Sequence, residues 1–177
     1  MHLRFMDVPN KIKTMLNFYK TKGFTIIEGL VAVFVITVAS LIAYGSSQQV
    51  ISYSRQSGDK FIAAYLAKEG VELARNVRDS NWVSEINWDT GLISCNSGCE
   101  ADRDNNPVFS AWSNSYLNLL ANGFYDYDSG TATKFKRKIT ITAIGSDQLR
   151  VSSFVFWNEG TTSKSITAEE ILYNWKQ

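Results

Sequence analysis

Lys20-Thr21-Lys22-Gly23-Phe24-Thr25-Ile26-Ile27-Glu28, continued by an apolar run to Tyr44, decides the fold of this chain. Basic residues stop at Lys22, a glycine follows, and from Phe24 to Tyr44 the only charged side chain is Glu28. At about 1.5 Å per helical residue, about twenty such residues cover a bilayer core of about 30 Å. The stretch therefore predicts a membrane-spanning helix with a carboxylate near its start. A lone carboxylate in hydrocarbon costs a few kcal/mol, less near a helix end, so Glu28 calls for a partner. The basic residues before the run place the N-terminus in the cytoplasm and the remainder outside.

The order Lys22-Gly23-Phe24-Thr25 with Glu28 resembles the class III leader junction of type IV prepilins and pseudopilins. The resemblance implies that a prepilin peptidase cuts between Gly23 and Phe24 and methylates the new amine of Phe24. It implies that Glu28 is the assembly carboxylate, pairing with the N-terminus of a neighbouring subunit. The partners it implies are other pilin subunits in a helical filament, the peptidase, an inner-membrane assembly platform and, before assembly, membrane lipid. Two plainer readings stand beside it. A secretory signal peptide, cut near Ala39-Ser40, normally has an uninterrupted apolar region of about 7 to 15 residues, whereas Glu28 and Gly29 interrupt this run. An ordinary single-pass anchor explains the length of the run and leaves Glu28 unexplained.

Charge and composition narrow the function. Of the 18 Lys and Arg and 17 Asp and Glu residues, five basic and one acidic precede Phe24, leaving 13 against 16. A processed chain is mildly acidic, so no nucleic-acid partner is expected. The one histidine, His2, lies before Gly23, so a processed chain lacks the imidazole that His-dependent nucleophiles and His-ligated zinc require. Two cysteines cannot make a four-thiolate site, and no Gly-rich phosphate loop occurs. Neither an enzyme nor a cofactor is expected.

Five segments follow: a leader over 1–23, the apolar helix over 24–44, its amphipathic continuation over 45–80, a variable region over 81–133 and an antiparallel β-meander over 134–177. In the third, Ile62, Leu66, Glu69 or Gly70, Leu73 and Val77 recur at helical spacing, while Lys60, Lys68, Glu72 and Arg75 can stay wet. One helix from near Phe24 to about Ser80 is roughly 85 Å long, too long for one small domain to bury. Gly45 and Gly58 are its weakest points or merely tolerated small residues. In the variable region, Ala111 to Ala121 reads as a short helix. The last segment contains three β-rich runs, Lys134 to Ile144, Gln148 to Asn158 and Lys164 to Trp175, separated by turn residues. In the first run Phe135, Ile139, Ile141 and Ala143 form an apolar face opposite Lys134, Lys136, Lys138, Thr140 and Thr142. That face should cover the helix seam. The predicted fold is α+β, a ladle with a long N-terminal helix packed by a C-terminal antiparallel sheet, and the family resemblance implies the same fold.

Three further groups are candidate sites. Cys95 and Cys99 flank Asn-Ser-Gly on the outer side of the membrane and are read as a disulfide, with free thiols as the alternative. Asp102, Asp104 and Asn106 alternate like the start of a calcium loop. Pro107 and Ser113 stand where an EF-hand needs Gly and Glu, so a solvated turn is the leading reading and no metal is expected. Lys134, Lys136 and Lys138 share a strand face that reads as solvated, without aromatics to stack nucleic-acid bases.

The segments Ala64 to Trp82, Phe135 to Ile141 and Tyr173 to Trp175 look like those of a minor pilin. The leading reading is a minor type IV pilus subunit at the inner or cytoplasmic membrane and then on the cell surface. A pseudopilin of a secretion or DNA-uptake machine, and an uncleaved membrane-anchored binding domain, are the alternatives.

Overall fold

Helix α1 spans Ile26–Val83 and is followed by an antiparallel β-sheet, a pilin-like α+β architecture. The computed structural model describes residues 23–103 and 107–175, so the expected leader lies outside the described residues except for Gly23. The chain divides into two compact units, residues 1–50 and 51–177.

In the first unit, α1 begins with a side-chain cap. Thr25 Oγ1 accepts a bond from the Glu28 amide at 3.3 Å, and Glu28 is the acidic residue of the first turn. A hydroxyl before the helix and a carboxylate three residues on satisfy and complement the free amides there. The apolar side chains that follow, Ile27, Leu30, Phe34 and Leu41 among them, are exposed. The helix continues through Gly45 and Gly58 without a break.

In the second unit, three long strands carry the sheet: β6 (Lys136–Ala143), β7 (Gln148–Glu159) and β8 (Thr162–Tyr173). Between α1 and β6 lie a 3-10 turn at Ile93–Cys95 and five two-residue strands, β1 (Cys99–Glu100), β2 (Ser110–Ala111), β3 (Asn118–Leu119), β4 (Tyr125–Asp126) and β5 (Thr131–Ala132). The meander expected from sequence is enlarged by β1 and β2 to the order β2-β1-β6-β7-β8, and β4-β3-β5 make a second sheet. The β7–β8 hairpin closes through Gly160-Thr161, with Gly160 at φ 59° in the first central position, where only glycine is unstrained.

The sheet covers the second part of α1 with two apolar clusters. Leu73, Ala74 and Val77 of α1 pack with Ile139, Ile141, Val151 and Leu172, while Ala63, Leu66 and Ala67 pack with Leu117, Phe135, Val155 and Trp157. Each fully buried leucine or isoleucine contributes about 1.5–3 kcal/mol. Helix and sheet approach closely at Gly70, where an added Cβ would stand 2.3 Å from Ser153 Oγ.

Three expectations are corrected. Ala111 to Ala121 is not a helix. It enters as β2, continues without regular structure and leaves through β3, because Ser113 donates through its amide and its hydroxyl to the Glu100 carboxylate, 13 residues earlier, and Asn114 stands at φ 65°, outside the helical region. Ile62 lies outside the buried seam, whose positions are instead Ala63, Leu66, Ala67, Gly70 and Val71 onward, since the sheet meets α1 on the small-residue side. The inward face of β6 is not purely apolar. Ala143 is exposed at the strand end, and Arg137 is inward and fully buried.

Candidate functional site

The membrane-directed segment is built from local rules alone. Among the residues from Phe24 to Ser47, the hydroxyls of Thr37, Ser40, Ser46 and Ser47 each bond a carbonyl four residues back, at 2.7, 2.7, 3.0 and 2.9 Å. In hydrocarbon there is no water to take those groups, so satisfaction inside the helix is what a lipid environment requires. By length and composition α1 can cross a membrane, and none of its most apolar window is buried. Glu28, exposed in the first turn, is the single carboxylate of that surface. Gly23 and Phe24 precede the cap without regular secondary structure and are exposed. The family model described as the prokaryotic N-terminal methylation motif matches residues 19–44, the segment that holds Gly23, Phe24 and Glu28.

Residues 19–44 thus carry a type IV pilin-like N-terminus. The match supports a prepilin-peptidase substrate anchored in a membrane, in a family of structural subunits. No curated protein and no solved structure matches the chain.

The second unit, residues 51–177, gathers the other candidate residues. Cys95 and Cys99 are joined by a disulfide, and both are buried beside β6, where Cys99 pairs with Ile139. Asp102 stands with Asp126 and Asp128, their carboxylate oxygens within 4.8 Å of one another, while Asp104 and Asn106 lie outside the described residues. Asp102 accepts the Tyr127 amide at 3.1 Å, and Asp126 accepts the Asp128 and Ser129 amides at 2.6 and 3.2 Å. Burial, and then repulsion from Asp126, raises the Asp102 pKa. Asp102 and Asp126 thus serve as turn acceptors that already spend oxygens on backbone donors.

The lysine face differs from its sequence reading. Lys134 pairs with Asp59 of α1. Lys136 Nζ lies 4.3 Å from the Tyr116 ring centre and donates to Asn114 Oδ1 at 3.0 Å, and Lys138 Nζ lies 4.9 Å from that of Trp112. Phe154 and Phe156 sit opposite Lys138 and Lys136 on β7. Aromatics are therefore present on this face. They arrive from the 112–117 segment and the adjacent strand, which the β6 sequence alone could not disclose, and the lysines occupy the Tyr116 and Trp112 faces as cation–π partners.

Sequence reading missed Arg137. It donates to Glu69 Oε2 at 3.0 Å and to the Ala101 carbonyl at 2.7 Å, while its own carbonyl accepts the Tyr127 hydroxyl at 3.1 Å. One residue thus ties α1, the chain after the disulfide, and Tyr127 just beyond β4 to β6. The signal was available: Arg137 has the parity of Phe135 and Ile139.

Proposed function

We propose that this chain is a minor subunit of a type IV pilus, cut after Gly23, methylated on Phe24 and incorporated into a filament through the apolar part of α1. The observation that carries the reading is the exposed apolar helix whose one carboxylate, Glu28, follows the Gly23-Phe24 junction by four residues. In a bundle of such helices Glu28 would be buried, and its desolvation would be offset by a cationic N-terminus such as the methylated amine of Phe24 on a neighbour. That pairing also fixes the axial register between subunits. Membrane topology follows the same logic, with the N-terminus cytoplasmic and the β-sheet unit outside.

A pseudopilin of a secretion or DNA-uptake system uses the same junction and the same helix, and is the second reading. Intact mass and N-terminal sequencing of the protein from its host membrane and from sheared surface filaments test both. A chain beginning at methylated Phe24 in the sheared fraction supports the pilus subunit, and the same chain confined to the membrane fraction supports the pseudopilin. A chain beginning at Met1, in cells with an active peptidase, overturns both in favour of an anchored binding domain.

A further inference from the structure

Strand β8 ends the five-stranded sheet, and its far edge pairs with no strand among the described residues. Its ladder with β7 runs from Gln148↔Tyr173 to Glu159↔Thr162 in one constant register, without a bulge, and the strand contains no proline. Sheet edges this long are usually shortened, bulged or blocked, because their free N–H and C=O groups template another strand. Here the edge has neither a bulge nor a proline, its charged residues are Lys164, Glu169 and Glu170, and it lies beside a groove. Thr167, Ala168, Glu169 and Glu170 line about 500 Å³ of space, with Lys68, Val71, Glu72 and Arg75 of α1 on the opposite wall. Consecutive strand residues point to alternate faces, so a groove that touches four in a row follows the edge of β8 and not one face of the sheet.

The charges along this groove are unevenly matched. Arg75 holds Glu170 at 2.5 Å and also holds Glu72, while Glu169 is met by Arg150 at 3.4 Å and by the Ser152 hydroxyl at 2.9 Å. Lys68 and Lys164 are both exposed, and among the described residues neither has a carboxylate within ion-pair distance. Lys164 lies on β8 itself, about 10 Å from Thr167 at roughly 3.3 Å per residue. The carboxylates are served from within the chain, and the two ammonium groups are left for a partner.

We propose that the β8 edge and its groove against α1 form a docking site for an extended, acidic peptide segment, which adds as a sixth strand beside β8. The free backbone edge supplies affinity for any extended chain, and Lys68 and Lys164 select one bearing carboxylates.

The test uses the full chain in detergent micelles and a capped probe peptide of about ten residues, alternating threonine and valine, with an aspartate toward each end. A second probe replaces the aspartates with lysines. Amide hydrogen exchange along Thr162–Tyr173 is read by NMR. The aspartate probe is expected to slow exchange at every second amide of β8, those not bonded to β7, and to bind about tenfold more tightly than the lysine probe, a difference of about 1.4 kcal/mol. In the Lys68→Glu, Lys164→Glu double variant the preference between probes should reverse while the β7–β8 ladder keeps its protection. No slowing of β8 exchange at millimolar probe overturns the site. Equal binding of both probes overturns the acidic partner, and protection that grows with protein concentration alone overturns it in favour of self-pairing.

Discussion

Arg137 and Glu69 form a buried ion pair, 3.0 Å apart, with side chains 0% and 9% exposed. The pair links the middle of the sheet to α1. The same guanidinium also serves the carbonyls of Ala101 and Leu66, which bring the chain after the disulfide and another turn of α1 to one point. A fully buried cation is tolerated only when its charge and its donors are nearly all met, and here Nε alone has no partner.

Removing one member of that pair should cost far more than removing both. Arg137→Ala leaves Glu69 buried without its cation and is expected to lose about 3–5 kcal/mol. Arg137→Met combined with Glu69→Leu should recover most of that loss, because no charge is then buried alone. Denaturant unfolding of the full chain in micelles, followed by tryptophan fluorescence, gives both values. A loss under about 1 kcal/mol in the single variant would show that the pair does not organise the core.

Gly70 is fixed by the approach of β7. Its missing Cβ would meet Ser153 Oγ at 2.3 Å and Ser153 Cβ at 3.0 Å, both in the buried interior. Gly70→Ala gains helix propensity of up to about 1 kcal/mol and should still be net destabilising by about 1–3 kcal/mol through overpacking. Ser153→Gly in the same chain removes both close atoms and is expected to restore part of the loss. Thermal unfolding of the two variants and their combination measures the coupling, and additive effects would refute the contact as the cause.

Burial pushes the Tyr127 hydroxyl up to about 12 from 10.0. A group whose pKa is raised in the folded chain contributes stability that is fully present below the unfolded value and is lost as pH rises through the folded one. Stability should therefore fall between about pH 10 and pH 12, by roughly 2–3 kcal/mol at 1.36 kcal/mol per unit. Tyr127→Phe should remove that slope and cost about 1 kcal/mol at neutral pH through the lost bond to the Arg137 carbonyl. Unfolding free energies at pH 8, 10 and 12 for both chains decide it, and an unchanged slope in the phenylalanine variant assigns the titration elsewhere.

Glu28→Ala tests the assembly reading without touching the β-sheet unit. Glu28 bonds Thr25 Oγ1 through its backbone amide, which alanine retains, so the helix start should persist. Cleavage after Gly23 should also persist, since the junction is unchanged. Recovery in sheared filaments should drop at least about tenfold if the carboxylate pairs with a neighbour's amine in an apolar bundle, equivalent to about 1.4 kcal/mol. Wild-type incorporation of this variant would remove the pairing mechanism.

The membrane-directed part of α1 was legible because its determinants are local. Helix formation, the twenty apolar residues and the one carboxylate each depend on neighbours within four positions, as does the Thr25 cap that only the structure brought out, and the motif at residues 19–44 is read in the same register. The long strands were legible for the same reason, since turn residues and two-residue alternation punctuate them. Contacts between distant segments were not. Arg137 lies between two lysines and reads as one more solvated charge until Glu69, 68 residues earlier, is brought against it. Trp112 and Tyr116 look like helix anchors until the sheet sets Lys138 and Lys136 over them. Asp102 finds Asp126 and Asp128, which no local spacing connects. The open edge of β8 is a property of strand order, which the composition of β8 does not encode. Sequence by itself determined what each segment forms and which solvent its surface suits, whereas tertiary structure decided which charges are buried, paired or left over, because those outcomes depend on neighbours that only folding supplies.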